Sequence, residues 1–106
     1  MKRDIKIKLS GKNYRVRLTV GAMIDIEDEL GKPLMSMLNT EISFKLASIV
    51  FKNGIRNEDG TRVFEDEAWN SLMYVTDPAD MFSALNDVIK EVSGDETEEG
   101  ETGKNE

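Results

Sequence analysis

The chain has 106 residues, a formal net charge of −7 from 14 Lys and Arg against 21 Asp and Glu, and neither His nor Cys. That length suits one domain, and the missing imidazole and thiol groups exclude His-based acid–base or triad catalysis, disulfide frameworks and His or Cys metal centres. No stretch approaches the ~20 apolar residues of a membrane span, and the opening residues lead into no apolar run, so the expectation is a soluble intracellular protein with no signal segment, cofactor or enzymatic activity.

The charge is unevenly spread. Residues 1–20 hold seven basic side chains and one acidic, residues 21–92 six basic and fourteen acidic, and residues 93–106 one basic and six acidic, giving +6, −8 and −5. Residues 4–20 alternate with period two. Ile5, Ile7 and Leu9 share one face with Tyr14, Val16, Leu18 and Val20, while Lys6, Lys8, Arg15, Arg17 and Thr19 take the other. Two half-buried strands around a turn at Ser10-Gly11-Lys12-Asn13 predict a β-hairpin. A lone hairpin is marginal in water, so the rest of the chain must cover its apolar face.

The remainder predicts helices. Ala22, Met23, Ile26 and Leu30 form one face of a helix over 21–30, with Asp25, Glu27, Asp28 and Glu29 on a solvated opposite face and Gly31 and Pro33 at its stop. Leu34, Met35, Met37 and Leu38 make a short apolar turn. Asn39 or Thr40 is suited to cap a helix over about 41–53, whose core side is Ile42, Leu46, Ile49 and Val50. Asn57-Glu58-Asp59-Gly60 is turn chemistry. A calcium loop placed on Gly60 begins at Ile55, where a carboxylate is required, so no metal site is expected there. Ala68, Trp69, Leu72, Met73 and Val75 recur at helical spacing over 65–75. Asp77-Pro78 restarts a helix whose core side is Met81, Phe82, Leu85, Val88, Ile89 and Val92.

The fold class expected is α+β: an antiparallel hairpin over 4–20 packed on about four helices over 21–92, one domain over 1–92, and a disordered acidic tail over 93–106 that lacks the apolar residues to offset its ordering entropy. Candidate partner-binding residues are of three kinds. Lys6, Lys8, Arg15 and Arg17 either guard an exposed sheet against edge-to-edge pairing or dock an acidic surface such as the helical body of a second copy. Met35 and Met37 belong to six methionines that either fill the core or form an adaptable docking surface. Trp69, the one tryptophan, is either a core residue or an interface anchor. The overall acidity argues against nucleic-acid binding.

The basic two-stranded start, followed by Arg17-Leu18-Thr19-Val20-Gly21-Ala22-Met23-Ile24-Asp25-Ile26-Glu27-Asp28-Glu29-Leu30-Gly31-Lys32-Pro33-Leu34, then a stop at Asn53-Gly54 and a helix pair, resembles the tail assembly chaperones of long-tailed bacteriophages and prophages. The resemblance covers roughly residues 4–92 and lies in spacing rather than in a signature. It implies a non-enzymatic protein of the host bacterial cytoplasm that binds the helical tape measure protein, keeps it soluble while tail tube subunits are recruited, and is absent from the mature virion. It also implies a longer product made by ribosomal frameshifting, and Gly103-Lys104-Asn105 is compatible with a slippery A-AAA-AAC in phase. The alternative from another class is a small acidic inhibitor, an antitoxin or DNA mimic, that blocks a basic protein with helix 21–30 and the tail.

Overall fold

A computed structural model of the chain describes residues 4–34 and 43–92. Strands β1 (Asp4–Leu9) and β2 (Lys12–Arg17) pair antiparallel, with Ile5 opposite Val16 and Ile7 opposite Tyr14. Among the described residues four helices follow: α1 (Val20–Leu30), α2 (Phe44–Gly54), α3 (Asp66–Met73) and α4 (Pro78–Val92). The class is α+β, as the patterning predicts. Expectations for Met35, Met37, Asn39, Thr40, Ile42 and the acidic tail fall outside the described residues.

The hairpin turn is tighter than the sequence suggests. Ser10 and Gly11 alone form it, with φ of 52° and 79°, so β2 starts at Lys12. Two consecutive positive φ values match the right-handed twist of the flanking strands, and Gly adopts its share at no steric cost. The second strand also ends earlier than its alternation suggests. Thr19 turns out of the strand and its Oγ1 accepts from the Ala22 N–H at 3.2 Å, which makes Val20 the exposed first residue of α1.

Helix α1 stops where expected: Gly31 takes φ 74° and donates to the Glu27 carbonyl at 2.8 Å. Glu27 then reaches forward, its Oε2 accepting from the Leu34 N–H at 2.9 Å. Helix α2 is capped by Ser43, whose Oγ accepts from the Leu46 N–H at 3.0 Å, so it begins at Phe44 and not near residue 41. Asp77 caps α4, accepting from the Ala79 N–H at 2.8 Å.

The core lies between the hairpin and the helices. Ile5, Ile7, Leu9, Val16 and Leu18 meet Leu46, Val50 and Phe51 of α2 and Leu85 and Val88 of α4 in one cluster of buried residues. Gly54 marks the tightest approach: a Cβ there would stand 3.1 Å from Val16 Cγ1. Its role is to admit the hairpin, and Ile55 continues past it in extended conformation to bridge Val16. Arg56 bridges Arg62, so residues 55–62 add a short pairing on the β2 side where the sequence suggests only a turn.

Trp69 is 1% exposed, and its indole Nε1–H donates to Ser48 Oγ at 2.9 Å. Phe64 packs against it edge-on at 5.2 Å between ring centroids and against Tyr14 at 5.5 Å. This burial matches the core role of Trp69; the residue offers no surface for an interface anchor. Truncating a buried aromatic costs about 3–5 kcal/mol. Trp69→Ala is therefore expected to lower the urea-unfolding free energy by about that amount, whereas Tyr74→Ala, at a position 91% exposed, is expected to change it by less than about 0.5 kcal/mol.

Candidate partner-binding surfaces

Two surfaces stand apart from the rest of the molecule. The first is apolar. Phe44, the first residue of α2, and Phe82 of α4 are 49% and 36% exposed, and their rings pack at 4.3 Å between centroids. The helical spacing puts Phe82 in the core; the structure instead leaves it partly in solvent, paired with Phe44. Beside them runs an open groove of about 370 Å³ lined by Phe44, Lys45, Ser48, Met73, Pro78 and Met81. Thr76 also lines it, and the exposed Tyr74 and Val75 occupy the turn between the lining residues Met73 and Thr76. Val75, which the sequence pattern assigns to the apolar helix face, is thus on the surface, because α3 ends at Met73.

The groove wall is tied to the hairpin tip. Thr76 Oγ1 donates to the Leu72 carbonyl at 2.7 Å, and its single hydrogen is then committed, so at 3.0 Å it is Ser10 Oγ that donates to Thr76 Oγ1. No pattern in the sequence links Ser10 to Thr76, since the contact spans 66 positions.

The second surface is the outward face of the hairpin. The register places Lys6 opposite Arg15, and Lys8 beside Asn13. Asp4 is the one carboxylate among them: it lies 3.1 Å from Arg15 and 3.7 Å from Arg17. Arg17 also donates through Nη1 to the Arg56 carbonyl, which fixes it against the 55–62 segment. Lys6 and Lys8 make no ion pair among the described residues. Of the four basic residues singled out from the sequence, Lys6 and Lys8 are thus exposed and unpaired, Arg15 is shared with Asp4, and Arg17 is half-buried.

The acidic face of α1 is less free than its sequence suggests. Asp25 Oδ2 accepts from Arg56 Nη2 at 2.6 Å, Glu27 holds the Leu34 N–H, and Glu29 accepts from Lys52 Nζ at 2.7 Å and from Asn53 Nδ2 at 3.0 Å. These contacts pin α1 to α2 and to the turn beyond it. Arg56 further donates to the carbonyls of Asn53 and Gly60, at 2.7 Å and 2.9 Å, and Arg62 reaches Asn53 Oδ1 at 3.3 Å. In the 57–61 loop, Asp59 Oδ1 accepts from both Thr61 N–H and Thr61 Oγ1–H, which fits a turn and lowers the Asp59 pKa. Among the described residues no three His, Cys, Asp or Glu side chains converge as metal ligands, and no helix is long and apolar enough to cross a membrane.

Compared with protein-family models, curated proteins and solved structures, the chain finds no match.

Burial pushes the Glu29 carboxyl up, but the hydrogen bonds from Lys52 and Asn53 and the Lys52 charge outweigh it and hold the group below its ordinary 4.5. The hydrogen bond to Glu29, offset in part by burial, raises Lys52 above its ordinary 10.5. A lowered carboxylate stabilises the fold fully above its unfolded pKa, and that contribution fades as pH falls through the folded value. A raised amine contributes fully below its unfolded pKa and fades as pH rises past the folded one. The stability difference between wild type and Glu29→Gln is therefore expected to be about 0.5–1 kcal/mol, reduced by the partial exposure of Glu29, and flat from about pH 5 to about pH 10. It should shrink below about pH 4.5, which urea unfolding across a pH series checks.

Proposed function

We propose that this chain is a tail assembly chaperone of a bacteriophage or prophage, acting in the host bacterial cytoplasm without enzymatic activity. In this reading it binds apolar helices of the tape measure protein and keeps them soluble while tail tube subunits are recruited. It also self-associates through the basic hairpin face and is absent from the mature virion. The observation that carries the reading is the exposed Phe44–Phe82 pair at the mouth of an open apolar groove. Aromatic residues left partly in solvent beside a concave apolar surface suit a partner that brings its own apolar ridge. Met73 in the wall, half-buried, supplies a side chain that repacks against varied sequences, as a helix with many non-identical turns requires.

Charge supports the same partner chemistry. Residues 65–80 hold Glu65, Asp66, Glu67, Asp77 and Asp80 and no basic residue, so the α3–α4 corner favours a helix whose apolar stripe is flanked by Lys or Arg. The inhibitor alternative has less to work with. Three of the four carboxylates on α1 already hold partners within the chain, and among the described residues Asp28 alone of that set has none. The frameshift expectation rests on residues 103–105, outside the described residues, and the DNA of those codons decides it.

Co-expression with the tape measure protein of the same tail gene cluster tests the reading. Wild type should hold that protein in the soluble fraction and co-purify with it in about 1 M salt, where exposed charges are screened beyond about 3 Å. Phe44→Asp with Phe82→Asp should weaken the complex at least about 30-fold, the effect of losing about 2 kcal/mol at an interface hot spot. A tape measure protein that stays equally insoluble with and without the chain would sink the proposal. Binding that collapses in salt, with a basic partner and indifferent to the Phe pair, would favour the inhibitor. Replacing Lys6, Lys8, Arg15 and Arg17 with Glu should abolish self-association; persistence unchanged overturns that half of the reading.

A further inference from the structure

The outward hairpin face carries unpaired cations, and the chain brings its own anions to the margin of that face. Helix α4 packs on β1, and its last turns lie beside the first residues of that strand: Asp87, Lys90 and Glu91 line a cleft of about 300 Å³ together with Asp4, Lys6 and Arg15. The chain therefore leaves α4 at Val92 next to the basic face. The fourteen residues that follow carry Asp95, Glu96, Glu98, Glu99 and Glu101 in close succession.

We propose that the outward face of the hairpin is the docking surface for this chain's own acidic segment 95–101, held by Lys6, Lys8 and Arg15. Reach permits it: about ten extended residues span about 33 Å, and a six-residue strand is about 20 Å long. Charge directs it. Asp4, Asp87 and Glu91 repel anions at the near end of the face, so the favoured position lies further on, towards Lys8 near the turn. Tethering decides between occupants. A segment joined by a short linker meets the face at an effective concentration in the millimolar range, which exceeds that of a second copy at micromolar protein. The docked segment thus shields the face and competes with self-association through it. Docking of this kind depends only on the charges and the placement of α4, so it holds whether or not the chain is a chaperone.

Each exposed pair contributes about a twofold preference, and three pairs about eightfold. Because the chain has no cysteine, Thr102→Cys gives it one site for a nitroxide label. At low salt the amide signals of Lys6, Lys8 and Arg15 are expected to broaden relative to that of Asn70 in α3. The signals should recover in about 1 M salt, where the screening length is about 3 Å, and the broadening should fall about eightfold when Lys6, Lys8 and Arg15 are replaced by Glu. Broadening that is absent, or uniform over the protein, overturns the proposal. So does broadening that appears equally when an isotope-labelled, spin-free copy is mixed with a spin-labelled, isotope-free one, because the occupant is then a second copy. Backbone spectra of the charge-reversed variant check that it remains folded. The salt series on the unaltered hairpin tests the docking without that variant: broadening that persists in about 1 M salt overturns it.

Discussion

A two-stranded hairpin has one apolar face and too few strands to protect it, so in water it persists only when something else covers that face. In this chain α2 and α4 do so, and the rest of the molecule is arranged around their success. Helix α2 is the hub, packing against α1, α3, α4 and β2, while α4 lies along β1. Gly54 sets how closely α2 meets the hairpin. A side chain there would press on Val16, so the approach that buries Val16 and Leu18 depends on a residue without one.

Apolar burial alone does not fix the angle at which α1 meets α2, since hydrophobic contact is non-directional. Direction comes from polar contacts at the edge of the core. Asn53 is the buried polar residue among the described ones, and it bonds the Ile49 carbonyl, Glu29 and Arg62 at once. Arg56, beside it, spreads its guanidinium over α1, the end of α2 and the 57–60 turn. Leaving any of these donors buried without a partner costs more than the net worth of the bond, so the network selects one register of α1 on α2 and holds residues 55–62 against β2.

That network also explains what was and was not legible in the sequence. Period-two alternation identifies the hairpin because Ile5, Ile7, Leu9 and Val16 are buried on one face, and the 3.6-residue period identifies α4 because Met81, Leu85, Val88 and Val92 are buried on another. Both are local signals. The start of α2 at Phe44 was missed because Ser43, Asn39 and Thr40 are all competent caps and only packing chooses among them. Phe82 fits the apolar stripe of α4, yet its exposure depends on where Phe44 lies, far earlier in the chain. The carboxylates of α1 look like a solvated face until Arg56 and Lys52 arrive from another part of the fold. Of the candidate binding residues, Lys6 and Lys8 kept the exposure that alternation implies, and Trp69 went to the core, where its one polar atom meets Ser48.

The same split between local and long-range signals separates the two candidate surfaces. The basic face is a consequence of strand periodicity: once one side of the hairpin must be apolar, the other side is free to carry charge, and Lys on an edge strand discourages pairing with foreign strands. Its cations are therefore compatible with a purely protective role. No such requirement produces the Phe44–Phe82 pair. Among the described residues neither ring joins the buried core cluster, and a polar residue at either position would keep the helix intact and remove the exposed apolar area. Exposed apolar area of this kind costs solubility without adding to the buried core. The groove is therefore the surface to which the proposed binding of apolar helices is assigned, and the basic face the one to which the proposed self-association and tail docking are assigned.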